Sequence, residues 1–200
     1  MSKEWADDPA TLPMKHPRIA FRDVARATDS RTLLCVLLPP EYAVVHKAPY
    51  LFRQRGTTSD EAFLLGVMSS LSMDWYTRRF VEVTMSFTLL NGFPVPRPDS
   101  DDPLRLRVVE IAGRLAAVDD RFTVWAAEIG VPVGSVTTHA QKDDLIAELD
   151  ALVGLLYGLD RAQFSHIFET FHVGWDYRPR LNASLAHFDS WATKMGDSHE

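Results

Sequence analysis

From Arg18 to Arg26 apolar and charged side chains alternate, and after Asp29-Ser30 the chain becomes solidly apolar, Leu33-Leu-Cys-Val-Leu-Leu38. A two-residue period belongs to a strand. The pattern therefore predicts a hairpin over 18–38 that turns on Asp29-Ser30 and stops at Pro39-Pro40, because proline cannot continue a central strand. In that geometry Arg18, Arg22 and Arg26 share one face, and Ile19, Phe21 and Ala25 the other. Residues 1–17, with Pro9, Pro13 and Pro17, have little periodicity and are expected to form an arm; 41–57 reads as loop and short strand. Thr58-Ser-Asp-Glu61 has the spacing of a capping box. Leu64, Leu65, Met68, Leu71 and Trp75 follow at helical intervals, predicting a helix through about Arg79. Phe80–Leu90, rich in Val, Thr and Phe, reads as a strand. Asn91-Gly92 signals a turn, and Phe93–Pro98 an extended connector.

The second half has a helical period. Asp102-Pro103 supplies an N-cap and a first-turn proline, and Leu104, Val108, Ile111 and Leu115 continue a stripe. The expected helix covers 103–128 and ends at Gly130 before Pro132. Thr138 and Gln141 make a second capping box, for a helix to Tyr157 that stops at Gly158. Asp160 caps a third helix carrying Phe164, Ile167 and Phe168, and Leu181–Trp191 forms a last amphipathic stretch. The expected fold is α/β: a mixed β-sheet with flanking helices over 18–102, followed by a helical C-terminal extension over 103–200.

With 46% hydrophobic and 24% charged residues the composition is that of a globular protein. No apolar run approaches the roughly 20 residues of a membrane span, and the opening Met-Ser-Lys-Glu-Trp-Ala-Asp-Asp8 is acidic and polar, without the apolar h-region expected of a signal peptide. A single cysteine, Cys35, excludes a disulfide framework and points to the cytoplasm; inside an apolar run it reads as a small buried hydrophobe. The net charge of −6 argues against a nonspecific nucleic-acid coat. Yet residues 15–55 hold eight cations and three anions, whereas from residue 108 onward fourteen acidic residues face seven basic ones. A locally basic surface on an acidic chain suits a specific binder with few phosphate contacts.

Catalytic chemistry is harder to find. An amino-methyltransferase needs an Asp/Asn-Pro-Pro-aromatic loop to hold a flipped base. In Leu38-Pro-Pro-Glu-Tyr42, Leu38 cannot accept from the amine, and Glu41 displaces the aromatic residue. No glycine-rich turn after a strand offers a site for S-adenosylmethionine. Asp119-Asp120 and Asp143-Asp144 lack the following lysine of a metal-dependent nuclease and read as solvated helix surface. The seven histidines, His166 and His172 among them, lack metalloprotease spacing.

Four blocks in order carry a resemblance: the Arg18–Leu34 segment, Leu64-Leu-Gly-Val-Met-Ser-Ser-Leu-Ser-Met-Asp-Trp-Tyr-Thr-Arg-Arg-Phe80, Leu89-Leu-Asn-Gly-Phe-Pro-Val-Pro-Arg97, and Leu149-Asp-Ala-Leu-Val-Gly-Leu-Leu-Tyr-Gly-Leu-Asp-Arg-Ala-Gln-Phe-Ser-His-Ile-Phe-Glu-Thr-Phe171. Together, over roughly residues 17–172, they resemble the C-terminal target-recognition region of adenine-N6 DNA methyltransferases. These are the enzymes of type IIG restriction–modification and of related phage-defence systems (BREX, DISARM). The resemblance implies sequence-specific recognition of duplex DNA by a chain that is no enzyme alone. The catalytic portion, with its S-adenosylmethionine and flipped adenine, would be a separate domain or subunit.

The candidate DNA-contacting residues are Arg18, Arg22, Arg26 and Arg31 on the hairpin, Lys47, Arg53 and Arg55 in the next loop, and Arg78 and Arg79 at a helix end, where cations also complement the macrodipole. Asn91 either reads adenine or makes the turn. The resemblance also implies that the hairpin and the Asp74–Arg79 block are shared framework, with base reading in more variable loops. A protein-interaction subunit, whose acidic helical half docks a partner and whose arginines merely guard a strand edge, is the alternative.

Overall fold

Strand β1 (Arg18–Phe21) lies between β2 (Cys35–Leu38) and β3 (Tyr50–Leu51) in the computed structural model, which describes Asp8 and residues 11–197. Both pairings are antiparallel: Arg18 faces Leu38 through to Phe21 facing Cys35, and Ile19 faces Leu51 on the other side. The expected first hairpin thus exists, but its strand is central and buried at all four positions, Arg18 included. That corrects the expected alternation of an exposed arginine row with an apolar face. The ladder also ends early, at the Arg22 N–H to Leu34 carbonyl bond. Beyond it residues 23–33 leave the strand path: the Asp23 N–H donates to the Lys47 carbonyl, the Ala25 N–H to Val83, and Val24 bridges Thr84.

The helices follow their caps more closely than their periods. Helix α1 (Thr58–Ser69) is capped by Thr57, which forms the box with Asp60. The overlapping Thr58–Glu61 pair is used elsewhere, Thr58 against Glu128 and Glu61 against Trp125. The single helix expected to Arg79 breaks at Ser70, whose extended backbone starts α2 (Leu71–Thr77). The break is fixed from a distance: the Leu71 N–H donates to the buried Asp150 at 2.8 Å. The expected strand over 80–90 is absent. Ser86 caps a short helix, α3 (Phe87–Leu90), and residues 82–84 have only the Val24 bridge for a strand partner.

Asp102 caps α4 (Pro103–Ala116) as expected. That helix does not continue to residue 128, because Asp119 turns its side chain back onto the Arg121 N–H and starts a 3-10 turn before α5 (Thr123–Glu128). Gly130, at φ 71°, then ends the run. Helix α6 (His139–Leu156) carries the Thr138–Gln141 box and stops before Gly158, and Asp160 caps α7 (Arg161–Glu169). The last helix, α8 (Arg178–Asp197), is longer than its apolar stretch suggested.

The result is a mixed α/β fold in which helices far outweigh the small antiparallel sheet. One apolar core runs from Ile19 and Phe21 through Met68 and Val108 to Leu152, so the helices beyond residue 103 pack on the sheet half. A second cluster gathers Phe164, Phe168, Phe171 and Phe188 around Leu71 and Ala151. Gly154 permits its closest approach: a Cβ there would sit 2.7 Å from the Phe164 ring. Among the described residues no helix is long and apolar enough to cross a membrane.

Candidate nucleic-acid interface

Four of the nine candidate cations serve the fold. Arg18 is 1% exposed and sends its guanidinium past the strand end to the carbonyls of Pro13, His16 and Tyr42. Arg22 pairs with Asp29 at 2.7 Å and also donates to the Arg31 carbonyl. Arg31 donates to Asp74 at 2.5 Å and to the Ser69 and Ser70 carbonyls. Arg78 donates to the carbonyls of Ala27, Asp29, Ser30 and Phe171 and lies 3.9 Å over the Phe171 ring. Burial lowers the Arg18 and Arg78 pKa values from the ordinary arginine value.

The physical reason is common to the set. Residues 23–33 have almost no ladder, so their carbonyls need donors, and a guanidinium brings five in a fixed fork. Buried Asp74 supplies the matching acceptors, taking the Thr32 and Leu33 N–H groups as well as Arg31. The expected arginine surface of the hairpin is therefore turned inward at Arg18 and largely used internally at Arg22, Arg31 and Arg78.

The other five stay on the surface. Arg26 is exposed, and its side chain makes no hydrogen bond to a described residue. Lys47 pairs with Asp23 at 3.2 Å, with 60% of its side chain exposed. Arg79 lies 4.2 Å over the Trp75 ring. Arg53 donates to the Gly56 carbonyl and to Thr58, which anchors it without neutralising it; the nearest carboxylate oxygen, on Glu61, is 3.9 Å away. Arg55 is exposed with no acidic partner among the described residues.

Arg53 and Arg55 are brought together by a groove along β3. A hollow of 330 Å³ is lined by Leu51, Phe52, Arg53, Arg55, Leu64 and Asn91, with Asp60 and Glu61. A second hollow, of 240 Å³, shares Leu51, Leu64 and Asn91 with it and has Arg97 in its lining. A third, of 490 Å³, shares Phe52 and Arg53 with the first and is lined also by Lys15, His16, Arg121, Trp125 and Glu128. Asn91 is the C-cap of α3 and also projects into two of these hollows, so turn and groove roles coincide. Arg97 was not singled out by sequence reasoning. Its proline-rich connector carries no periodic signal, and only proximity to Asn91 in the fold reveals it.

The charge along the groove is uneven. At one end Lys15 pairs with Glu41, and Arg121 with Asp119 and the Tyr42 hydroxyl. In the middle Asp60 is held by Arg105 at 2.5 Å. The wall holds Glu61, which accepts from Trp125 Nε1 at 2.9 Å; burial pushes its carboxyl above the usual range, and the nearby Glu128 adds to the rise. The cations without an acidic partner among the described residues are thus Arg55 and Arg97, with Arg53 beside them 3.9 Å from Glu61.

The other candidate chemistry resolves into structure. Glu41 of the Leu38–Tyr42 loop takes a left-handed backbone at φ 68°, donates its N–H to the Met14 carbonyl and pairs with Lys15. Asp119 caps the 3-10 turn, and Asp144 meets His187 at 2.9 Å. Burial pushes the Cys35 thiol up to about 12. Among the described residues no group of three His, Cys, Asp or Glu side chains is placed to hold a metal ion.

No protein-family model matches the chain, no curated protein matches it in sequence, and no solved structure matches it in fold.

Proposed function

We propose that this chain reads duplex DNA for an adenine-N6 DNA methyltransferase of the restriction–modification or phage-defence kind, and that the β3 groove is its DNA-facing surface. The observation that carries the reading is the gathering of Arg53, Arg55, Asn91 and Arg97 around two adjoining hollows beside β3. Cations spaced along a groove neutralise phosphates and fix register, while an exposed amide offers the donor–acceptor pair that adenine presents in the major groove. The four-block resemblance supplies the class of target. Methyl transfer, with S-adenosylmethionine and the flipped adenine, belongs in this reading to a separate catalytic domain or subunit.

The reading is tested with a fluorescent 30-base-pair duplex titrated at two salt concentrations. If Arg55 and Arg97 each neutralise one phosphate, the Arg55→Ala/Arg97→Ala chain has a log–log salt slope shallower by about 1.8. The Arg22→Ala/Arg26→Ala chain, whose first arginine is tied to Asp29, loses about one contact at most. Equal slopes for wild type and the Arg55/Arg97 variant would refute the groove.

The second reading, a protein-interaction subunit, is favoured by one observation: Val24, Phe80, Val83 and Phe87 are each 44–56% exposed along the 80–87 segment and the loop beside it. Contiguous exposed apolar side chains mark interaction surfaces. The apolar segment adjoins the groove, since Phe80 lies 6.1 Å from the Phe93 ring and both Leu90 and Phe93 line the hollow that holds Arg97.

A further inference from the structure

Gly66 of α1 lets three helices meet. A Cβ there would lie 2.7 Å from Val108 and 3.3 Å from Ala112 of α4, and 3.4 Å from Leu149 of α6. Beside that junction is a hollow of 350 Å³, which Gly66, Ala112 and Leu149 themselves line. The volume falls within the roughly 300–1,000 Å³ of small-ligand sites. Leu65, Leu115 and Ile146 extend its apolar wall, and Leu34 and Cys35 join it from the start of β2. The Cys35 thiol, pushed up to about 12 by burial, stays neutral and adds no charge.

The charged residues of the lining are Arg31, Lys142 and Arg180, and no carboxylate is among them. Arg31 Nε and Nη2 are occupied by Asp74 and by the Ser69 and Ser70 carbonyls, and Arg180 Nε and Nη2 by Asp150. The Nη1 of each has no acceptor among the described residues, and neither atom is sealed from solvent. Lys142 shares one face of α6 with Ile146 and Leu149. It is exposed and has no acidic partner among the described residues. Asp74 and Asp150 match the charge of the two arginines, so Lys142 brings the charge without a counterpart.

We propose that this hollow binds a small monocarboxylate with an apolar body, its carboxylate held among Arg31, Arg180 and Lys142. Guanidinium nitrogens and an ammonium are the donors that bind a carboxylate most strongly. One unmatched positive charge suits a monoanion better than a dianionic phosphate ester. The apolar wall, which a bare anion would leave unused, calls for an alkyl or aryl body. The site does not rest on the DNA reading, because the hollow shares no lining residue with the three hollows of the groove.

The test is an amide NMR titration of the full chain with octanoate at neutral pH. Amides at 34–35, 65–69, 112–116 and 142–149 should shift together and saturate on one curve. Octanamide, which keeps the chain and loses the charge, should bind roughly tenfold more weakly or worse. Hexanoate, two methylenes shorter, should bind about tenfold more weakly, and octylammonium should not bind. Lys142→Glu, at an exposed position, should weaken octanoate at least tenfold while thermal unfolding stays as in wild type. Unchanged amides around the hollow, shifts confined to the exposed apolar 80–87 segment, equal binding of octanamide or of hexanoate, or undiminished affinity in Lys142→Glu would each overturn the proposal.

Discussion

Asp74→Ala, a change in α2, should be the single substitution that most destabilises the loop leaving β1. Asp74 is fully buried and accepts from Arg31 Nε at 2.5 Å, from the Leu33 N–H at 3.0 Å and from the Thr32 N–H at 3.1 Å, with Arg78 Nε 3.7 Å away. Removing one partner of a buried ion pair costs about 3–5 kcal/mol. Each buried N–H left without an acceptor adds about 1–3 kcal/mol before water enters. The Arg31 side chain is 21% exposed, so water can reach part of the site, and we expect a net loss of about 3–5 kcal/mol. That is a large share of the roughly 5–15 kcal/mol of a typical domain. Asp74→Asn keeps the shape and one acceptor and should lose about half as much, which keeps the series measurable if the alanine chain fails to fold. Urea unfolding followed by circular dichroism gives the change from the midpoint at constant slope, and hydrogen exchange at Thr32 and Leu33 localises it. A loss below about 1 kcal/mol for the alanine chain, with exchange at those amides unchanged, would refute the role given to Asp74.

Gly154→Ala places a methyl 2.7 Å from the Phe164 ring, which is fully buried and stacked on Phe188. The clash should outweigh the usual helix gain of about 1 kcal/mol and destabilise the chain in thermal unfolding, whereas an open site would give stabilisation. Two buried glutamates should give opposite pH signatures. Burial raises the Glu61 carboxyl, so folding favours its protonated form. Its contribution is present below the unfolded value and is lost as pH rises through the folded one, so Glu61→Gln should gain relative stability as pH rises above about 4. At Glu148 burial also pushes upward, but the Arg107 and Trp191 hydrogen bonds outweigh it and hold the carboxyl below its usual value. That contribution is present above the unfolded value and lost as pH falls through the folded one, so Glu148→Gln should be destabilised at pH 7 and approach wild type in acid. Matching pH–stability curves for either variant and wild type would contradict that assignment.

What was legible in the sequence is what is decided within a few residues. Asp102, Thr138 and Asp160 cap helices at the positions their spacing indicates, and Gly130 and Gly158 end them, because a cap is a contact between neighbours. The break at Ser70 was not legible, since the acceptor that fixes it, Asp150, is 79 residues away. Nor was the fate of the arginines: strand alternation says which way a Cβ points, but a guanidinium reaches several ångströms past it to loop carbonyls whose need is created by the fold. Phe80–Leu90 has strand composition without a strand to pair with. Of the candidate interface, Arg53, Arg55 and Asn91 were visible as polar loop residues; their meeting with Arg97 belongs to the packing of β3 against α1 and the connector.

The most direct measurement is the footprint of duplex DNA on the chain by hydrogen–deuterium exchange. The account predicts slower exchange across residues 51–56 and 89–97, with the 23–33 loop and the 80–87 segment unchanged. Protection confined to 23–33, or to the apolar 80–87 segment, or found nowhere at saturating duplex, would contradict it.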